Sequence, residues 1–293
     1  MLEKNSEKAS TEKEFLPFQM GYLPERFEEK VSIVTKETPR NRLKGLQMMR
    51  ELMKNDKAFD DTEFDDEFLR LFLRCEEYSI KASFGRLKNM MNLKRDHPYM
   101  FTNQLYENIA ITFTKNIVTF LPYRCQDGCV IAHINLDNWV PEEFPVIEVK
   151  RMAVILLLQS LRDPMTQVNG FKAIINAKSN PIRHLRHCTP QNLYLLYHGC
   201  QNCLPGRIHS YHLVNQSITS RFCIEIMKHF FTEELKRKIY IHPSPEKLLD
   251  FFPADIIPTE YGGKLKEFDM TGWLKDVMQP EKLANLCGRP KTL

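Results

Sequence analysis

Apolar residues recur at helical spacing through the first third of the chain. The segment 68–73 is apolar on most sides, and Ser79 can cap a following helix that Pro98 ends. The pattern predicts a bundle of about four helices between residues 24 and 98. The helical period is clearest at five positions, Leu43, Leu46, Met49, Leu52 and Met53.

Beyond about residue 115, short apolar runs alternate with amphipathic segments. The pattern predicts strands at 130–136, 170–177, 207–214 and 239–242, and helices at 144–161, 189–197, 222–231 and 245–251. Strands that alternate with helices are typical of a mostly parallel sheet covered by helices. The sequence therefore predicts an α/β fold in which an all-helical region precedes a domain with such a sheet. The polar residues 1–14 are predicted to be a disordered tail.

Alternate apolar residues mark one face of two predicted strands, and the helix 222–231 carries an apolar stripe. Such patterns most often belong to a packed core, but this helix is also apolar enough to cover a lipid. Small residues opposite large ones are consistent with room for a ligand, as at Ala153, Ala173 and Ala177. The positions concerned are Phe171, Ala173, Ile175, Ala177, Ile208, Tyr211, Leu213, Cys223, Ile226, Met227, Phe230 and Phe231.

Composition narrows the class of protein. A hydrophobic fraction of 43% and a charged fraction of 27% are those of an ordinary globular protein. The net charge of +4 is too mild to indicate a nucleic-acid partner, and we expect none. The longest purely apolar run, 152–158, is far shorter than the ~20 residues that cross a bilayer. Because the N-terminus has no signal-like apolar core, we expect a cytoplasmic protein whose eight cysteines are reduced thiols.

The sequence also contains residue types that occur in zinc sites and in enzyme active sites. Cysteine and histidine side chains of the types that bind zinc occur at His198, Cys200, Cys203, His209 and His212. However, His209 and His212 are three apart on a predicted strand and so point to opposite faces, and no second Cys-x-x-Cys is present. No nucleophile elbow or phosphate-binding loop is visible. We therefore expect no metal, no cofactor and no enzymatic activity.

Four motifs in order resemble the CRAL-TRIO lipid-transfer family, and the tocopherol-transfer and retinaldehyde-binding branch in particular. They are Phe-Leu-Arg-Leu-Phe-Leu-Arg at 68–74, the strand 170–177, Leu-Pro-Gly-Arg-Ile-His-Ser-Tyr-His-Leu-Val-Asn at 204–215, and Ile-Pro-Thr-Glu-Tyr-Gly-Gly at 257–263. Their order and spacing agree with the family from about residue 65 to residue 263. Leu71 departs from the family pattern, which has arginine there, and Gly206 stands where the family has a bulkier residue.

The resemblance implies an architecture and a function. It implies an N-terminal helical region at 15–114, a lipid-binding domain at 115–265 and a C-terminal extension at 266–293, with the helix 222–231 as a lid over the ligand. The protein is then expected to be a monomeric carrier of one small hydrophobic lipid, tocopherol-, retinoid- or otherwise isoprenoid-like, or fatty acyl. It would exchange that lipid during transient contact with membranes. The alternative is an adaptor with a collapsed pocket, which senses lipid or recruits a protein without transfer.

The resemblance also assigns site residues. Arg207, His209 and Lys238 match basic positions that grip an anionic headgroup such as phosphatidylinositol bisphosphate, while Glu76 and Glu234 stand where further basic residues are expected. Ala153 and Leu157 fall where relatives place hydroxyl groups, so polar anchoring of the cargo is expected to be sparse. The ligand-lining set adds Ala153, Leu157, Leu196 and Cys200 to the twelve positions named above.

Overall fold

The computed structural model describes residues 15–101, 116–283 and 287–291. The predicted disordered tail at 1–14 and the predicted boundary at 114/115 lie outside these residues. Within them, the predicted bundle of about four helices is present. The helices are α1, Glu25–Lys30; α2, Pro39–Lys54; α3, Asp66–Cys75; and α4, Ile80–Asp96.

Local capping explains where two of these helices begin. Thr38 accepts a hydrogen bond from the backbone N–H of Asn41 at the start of α2, and Asp65 caps α3 in the same way through Phe68. The buried faces of α3 and α4 then pack together, and the side chain of Phe72 on α3 is fully buried as a result. Packing and caps thus stabilise helices that the apolar period of the sequence predicts.

A five-stranded, mostly parallel sheet forms the centre of the second region, as predicted. Its strand order is β2-β3-β4-β5-β6, and only the pairing of β2 with β3 is antiparallel. A separate two-stranded sheet pairs β1 with β7, which ties the C-terminal end to the helical region. The strands are β1, Thr62–Glu63; β2, Val118–Phe120; β3, Val130–Asn135; β4, Phe171–Asn176; β5, Ile208–Val214; β6, Ile239–Ile241; and β7, Arg289–Pro290.

In the described residues after α4, eight further α-helices alternate with or follow the strands of the sheet. The predicted lid at 222–231 is shifted, because the helix begins after a capping box formed by Ser217 and Ser220 and ends at Lys228. The predicted helix at 245–251 is a 3-10 helix, Pro245–Asp250. The helices are α5, Val146–Ser160; α6, Pro164–Asn169; α7, Pro181–His184; α8, Pro190–His198; α9, Ile218–Lys228; α10, Glu233–Arg237; α11, Thr271–Val277; and α12, Pro280–Leu283. No helix in the described part of the chain is long and apolar enough to cross a membrane.

A buried ion network joins the helical region to the sheet region. The Glu37 carboxylate accepts hydrogen bonds from Arg74 at 2.5 and 2.9 Å, from Arg70 at 3.0 Å and from Tyr78 at 2.8 Å. Arg74 also donates to Gln167 on α6. Burial alone would raise the pKa of Glu37, but the bonds and positive charges outweigh it and lower the pKa to about 2.

The expectation that all eight cysteines are reduced thiols is wrong for two of them. Cys188 and Cys223 form a disulfide, with their Cα atoms 6.0 Å apart. The bond links α9 to the segment that follows α7. Because 35 residues separate Cys188 and Cys223 in the sequence, the two thiols come together only through the packing of α9. An expectation based on the cellular compartment alone does not take this packing into account.

Candidate functional site

The two faces of the central sheet differ in how completely they are buried. On one face, which we call the opposite face, Ile131, His133, Ile174, His212 and Val214 are all buried. They pack against the segment 248–261 at the core of this side. Apart from Lys172 and Tyr240, which keep accessible surface, this face is closed by protein.

The other face, which we call the α5 face, is less complete. The β-ladder aligns Ala132, Ala173, Tyr211 and Ile239 in one row, and Ile134, Ile175, Leu213 and Ile241 in the next. Ile239 and Ile241 belong to the edge strand β6, whereas the other six positions lie on the inner strands β3, β4 and β5. Of these six, Ala173 and Leu213 are buried, and Ala132, Ile134, Ile175 and Tyr211 keep accessible surface. Helix α5 packs against the same face through Ile155 and Leu156. Apolar side chains in mid-sheet that stay accessible indicate unfilled space beside them.

Two side chains next to this face are surrounded by protein and yet accessible. Burial raises the pKa of Tyr211 well above its usual value and raises the pKa of the Cys200 thiol to about 11. Both residues nevertheless retain accessible surface. Together with the accessible apolar positions of the α5 face, they mark the candidate site, which lies beside the α5 face, helix α5 and the segment 199–203.

The predicted ligand-lining residues fall on the elements around this space. Ala153 and Leu157 lie on α5 and are partly exposed, and Leu157 lies beside Gly206, where a Cβ would come within 3.2 Å of it. Leu196 on α8 is 49% exposed, so half of its side chain is open to solvent. The partly exposed set further comprises Ile175, Cys200, Ile208, Tyr211, Cys223, Ile226, Met227, Phe230 and Phe231, and the buried set is Phe171, Ala173, Ala177 and Leu213. Their contact with a ligand stays a prediction.

Helix α9, which contains most of the predicted lid, is held by few buried contacts. Within α9 the buried residues are Thr219 and Ser220, both small and polar. Phe230, just after the helix, packs edge-on against Tyr194 at 5.5 Å between ring centroids, and Phe231 lies 6.1 Å from Tyr197. Together with the disulfide, these aromatic contacts hold α9 over α8.

One polar pair at the site was missed by the sequence analysis. Gln201 donates a hydrogen bond from Nε2 to the hydroxyl oxygen of Tyr211. Gln201 lies in the π-helical segment Gly199–Cys203, directly after α8. No local pattern marks a glutamine in such a turn, so the pairing becomes visible only once β5 and this segment are brought together.

The predicted headgroup residues lie near one another but are already engaged. Arg207 donates hydrogen bonds to the carbonyl oxygens of Val34 at 3.1 Å and Gln167 at 3.3 Å. The pKa of His209 is lowered, first by burial and then by nearby Arg207, and its Nε2 lies 2.9 Å from the Asn169 carbonyl oxygen. Lys238 pairs with Glu234 at 2.7 Å. Binding a phosphate group there would have to displace these contacts.

The five residues weighed as zinc ligands are spread over both faces of the sheet. His212 stacks on His242 on the opposite face, while His209 bonds to the backbone near α6. Burial raises the pKa of the Cys203 thiol to about 12, which disfavours a metal-binding thiolate. Within residues 15–101, 116–283 and 287–291, no cluster of three or more histidine, cysteine or acidic residues is placed to hold a metal ion.

Comparison with known proteins agrees with this architecture. The chain is 27% identical over 267 residues to "Alpha-tocopherol transfer protein-like" from Mus musculus, covering 87% of this chain and 78% of that protein. It is 24% identical over 270 residues to "Clavesin-2" from Homo sapiens, covering 90% of this chain and 81% of that protein. The solved structure of Sfh5 has the same fold, with a TM-score of 0.52 and 12% identity over 84% of this chain and 91% of that chain.

The match to a family model covers the sheet region and the lid. The model of the CRAL/TRIO domain matches residues 114–263, about half of the chain. The match includes three of the four motifs on which the resemblance depended, at 170–177, 204–215 and 257–263, and it confirms that resemblance. On this match the chain belongs to the CRAL/TRIO family.

Proposed function

We propose that this protein binds one small hydrophobic lipid between the α5 face and helices α5, α8 and α9, and exchanges it at membrane surfaces. The observation that carries the proposal is the contrast between the closed opposite face and the incompletely buried α5 face. Membership of the CRAL/TRIO family supports it, and so does the name of one relative, which refers to tocopherol transfer. Tocopherol-, retinoid- or other isoprenoid-like lipids and fatty acyl chains are the candidate cargoes.

The energetics favour a site of this kind. Burying apolar surface stabilises by ~25 cal/mol per Å², so a lipid that buries about 300 Å² would gain about 7 kcal/mol before the costs of association. The lid then needs two states, one that encloses the cargo and one that releases it to a bilayer. Membrane contact shifts the population between them because the open state offers apolar surface to the bilayer. No covalent step is required.

Saturable lipid binding is the first expected result. Titration with fluorescent retinoid, sterol and fatty-acid probes should give competable binding of at least one of them. Ala132→Leu, which fills space on the α5 face, should weaken that binding about 10-fold or more while leaving the melting temperature nearly unchanged. Ala82→Leu, at a partly exposed position on α4, is the control and should bind like the unchanged protein.

The adaptor alternative predicts that the protein binds none of these lipid probes. A folded protein that binds no probe, with Ala132→Leu indistinguishable from the unchanged chain, would reject the carrier function. The protein would then be a CRAL/TRIO domain with a collapsed pocket. The monomeric state and the cytoplasmic location stay predictions in either case.

Membrane contact is proposed to use the exposed side of the lid. Ile218 is 84% exposed and Phe222 is 52% exposed, and their i, i+4 spacing places them on one side of α9. Ile218→Asp combined with Phe222→Asp should slow lipid transfer between vesicles about 10-fold, because a charged lid enters a bilayer poorly. The melting temperature should stay the same, since neither side chain is buried.

A matched control separates lid contact from general charge. Leu43→Asp combined with Leu52→Asp removes two exposed apolar side chains from α2 and adds the same charge, and it should transfer lipid at the original rate. Equal slowing by both pairs would contradict a role for the lid.

The predicted headgroup residues are tested by vesicle binding. Because Arg207 and Lys238 are engaged in contacts within the protein, it should bind equally to vesicles of equal total charge with and without a bisphosphorylated inositide. A strong preference for the inositide would reveal a shaped headgroup site instead.

A further inference from the structure

Tyr211 is chemically distinct among its neighbours on the α5 face. Its row contains Ala132, Ala173 and Ile239, and the next row contains only isoleucine and leucine. Among these eight positions, Tyr211 alone carries a polar side-chain group. A hydroxyl group among apolar side chains costs free energy unless it forms a hydrogen bond. The Tyr211 hydroxyl forms one with the side-chain amide of Gln201.

The pair has unused hydrogen-bonding capacity. The Tyr211 oxygen accepts from Gln201, so its own proton is available to donate, and the Gln201 side-chain carbonyl can accept. In the described part of the chain, neither group makes a further side-chain hydrogen bond. Rotating the Gln201 amide by 180° exchanges the roles and still leaves at least one donor and one acceptor. That combination complements a hydroxyl group, which also donates once and accepts.

No basic residue in the described ranges affects the pKa of Tyr211. Burial raises this pKa most, nearby Cys200 raises it further, and the hydrogen bond with Gln201 lowers it. Burial keeps the Cys200 thiol protonated, since its pKa is raised to about 11. An ionised carboxylate placed beside the pair would lose its hydration without gaining a cation, which is strongly unfavourable.

We infer that the Tyr211–Gln201 pair is the polar anchor of the lipid site and selects an uncharged lipid with a hydroxyl group over a fatty carboxylate. The inference depends on the proposed function, because it assigns the polar end of the same site. It also revises the expectation of sparse anchoring. Ala153 and Leu157 on α5 supply no polar group, and the anchor is instead formed by β5, which carries Tyr211, and the segment 199–203, which carries Gln201. Tyr211 and Gln201 are then specificity-determining residues.

Two matched ligand series test the anchor. Retinol, retinoic acid and axerophthene share one isoprenoid skeleton and end in hydroxymethyl, carboxylate and methyl groups; hexadecanol, hexadecanoic acid and hexadecane form the acyl series. The unchanged protein should bind the alcohol of at least one series about 10-fold more tightly than its carboxylate and hydrocarbon, as one buried hydrogen-bonded group allows. Tyr211→Phe should remove that preference by weakening the alcohol alone. Gln201→Met should act in the same direction.

Controls make the outcomes distinguishable. Tyr240→Phe removes a tyrosine hydroxyl from the opposite side of the sheet, where the ring stacks on His212, and should leave every affinity unchanged. Equal affinity for the three ends of a series, a preference for the carboxylate, or an alcohol preference that survives Tyr211→Phe would overturn the anchor while the carrier function stood. Failure of a folded protein to bind either series would overturn both.

Discussion

Breaking the disulfide between Cys188 and Cys223 should accelerate lipid exchange about 10-fold or more. The bond fixes the Cα atoms of the two residues 6.0 Å apart, so the middle of α9 cannot leave the segment after α7 while it is intact. Without it, the lid is held by the hydrogen bonds of Ser217 with Ser179 and with the carbonyl oxygen of Ala177, and by the aromatic contacts of Phe230 and Phe231. A 10-fold faster exchange corresponds to a barrier lower by about 1.4 kcal/mol.

The measurement is the rate of lipid transfer between donor and acceptor vesicles, with and without dithiothreitol. Cys188→Ser combined with Cys223→Ser should be fast under both conditions and insensitive to the reductant, whereas the unchanged protein should respond to it. Thiol titration of the unfolded, unreduced protein should count six free cysteines of the eight in the chain. A count of eight, or an exchange rate that ignores the reductant, would reject the disulfide as a restraint on the lid.

Glu37→Gln should lower the free energy of unfolding by about 3 kcal/mol at neutral pH. Glu37 holds Arg70, Arg74 and Tyr78 together in a network with little solvent access, so removing its charge leaves two guanidinium groups with less compensation. Denaturant unfolding at pH 7 measures the effect. Glu67→Gln is the control, because Glu67 also pairs with Arg70 but is mostly exposed, and it should cost less than 1 kcal/mol.

The same network predicts a pH dependence. The pKa of Glu37 is lowered to about 2 in the folded protein, below its value in the unfolded chain. The stability that this carboxylate contributes is therefore fully present above the unfolded pKa of ~4.3 and is lost as pH falls towards about 2. The difference between the unchanged protein and Glu37→Gln should shrink over that range. A difference that stays constant between pH 7 and pH 3 would show that the cost arises from packing and not from charge.

The order of helices and strands was predictable because it depends on local periodicity. Period 3.6 in the first third of the chain and alternating short apolar runs beyond it predicted the helical bundle and four of the five strands of the main sheet. The strand Val118–Phe120 and the pairing of Thr62–Glu63 with Arg289–Pro290 were missed. Thr62–Glu63 and Arg289–Pro290 are too short to show a period, and they become strands because a partner lies beside them.

The sequence by itself determined the fold class, the family motifs and which apolar residues share a face of each strand. How completely each position on that face is buried was decided only by the tertiary structure, since an alternating pattern is the same whether or not the face is fully covered. Tertiary structure alone also brought together Cys188 with Cys223, Glu37 with Arg74, and Tyr211 with Gln201. Each of these pairs joins separate elements, and their distances depend on how helices and sheet pack, which no local propensity encodes.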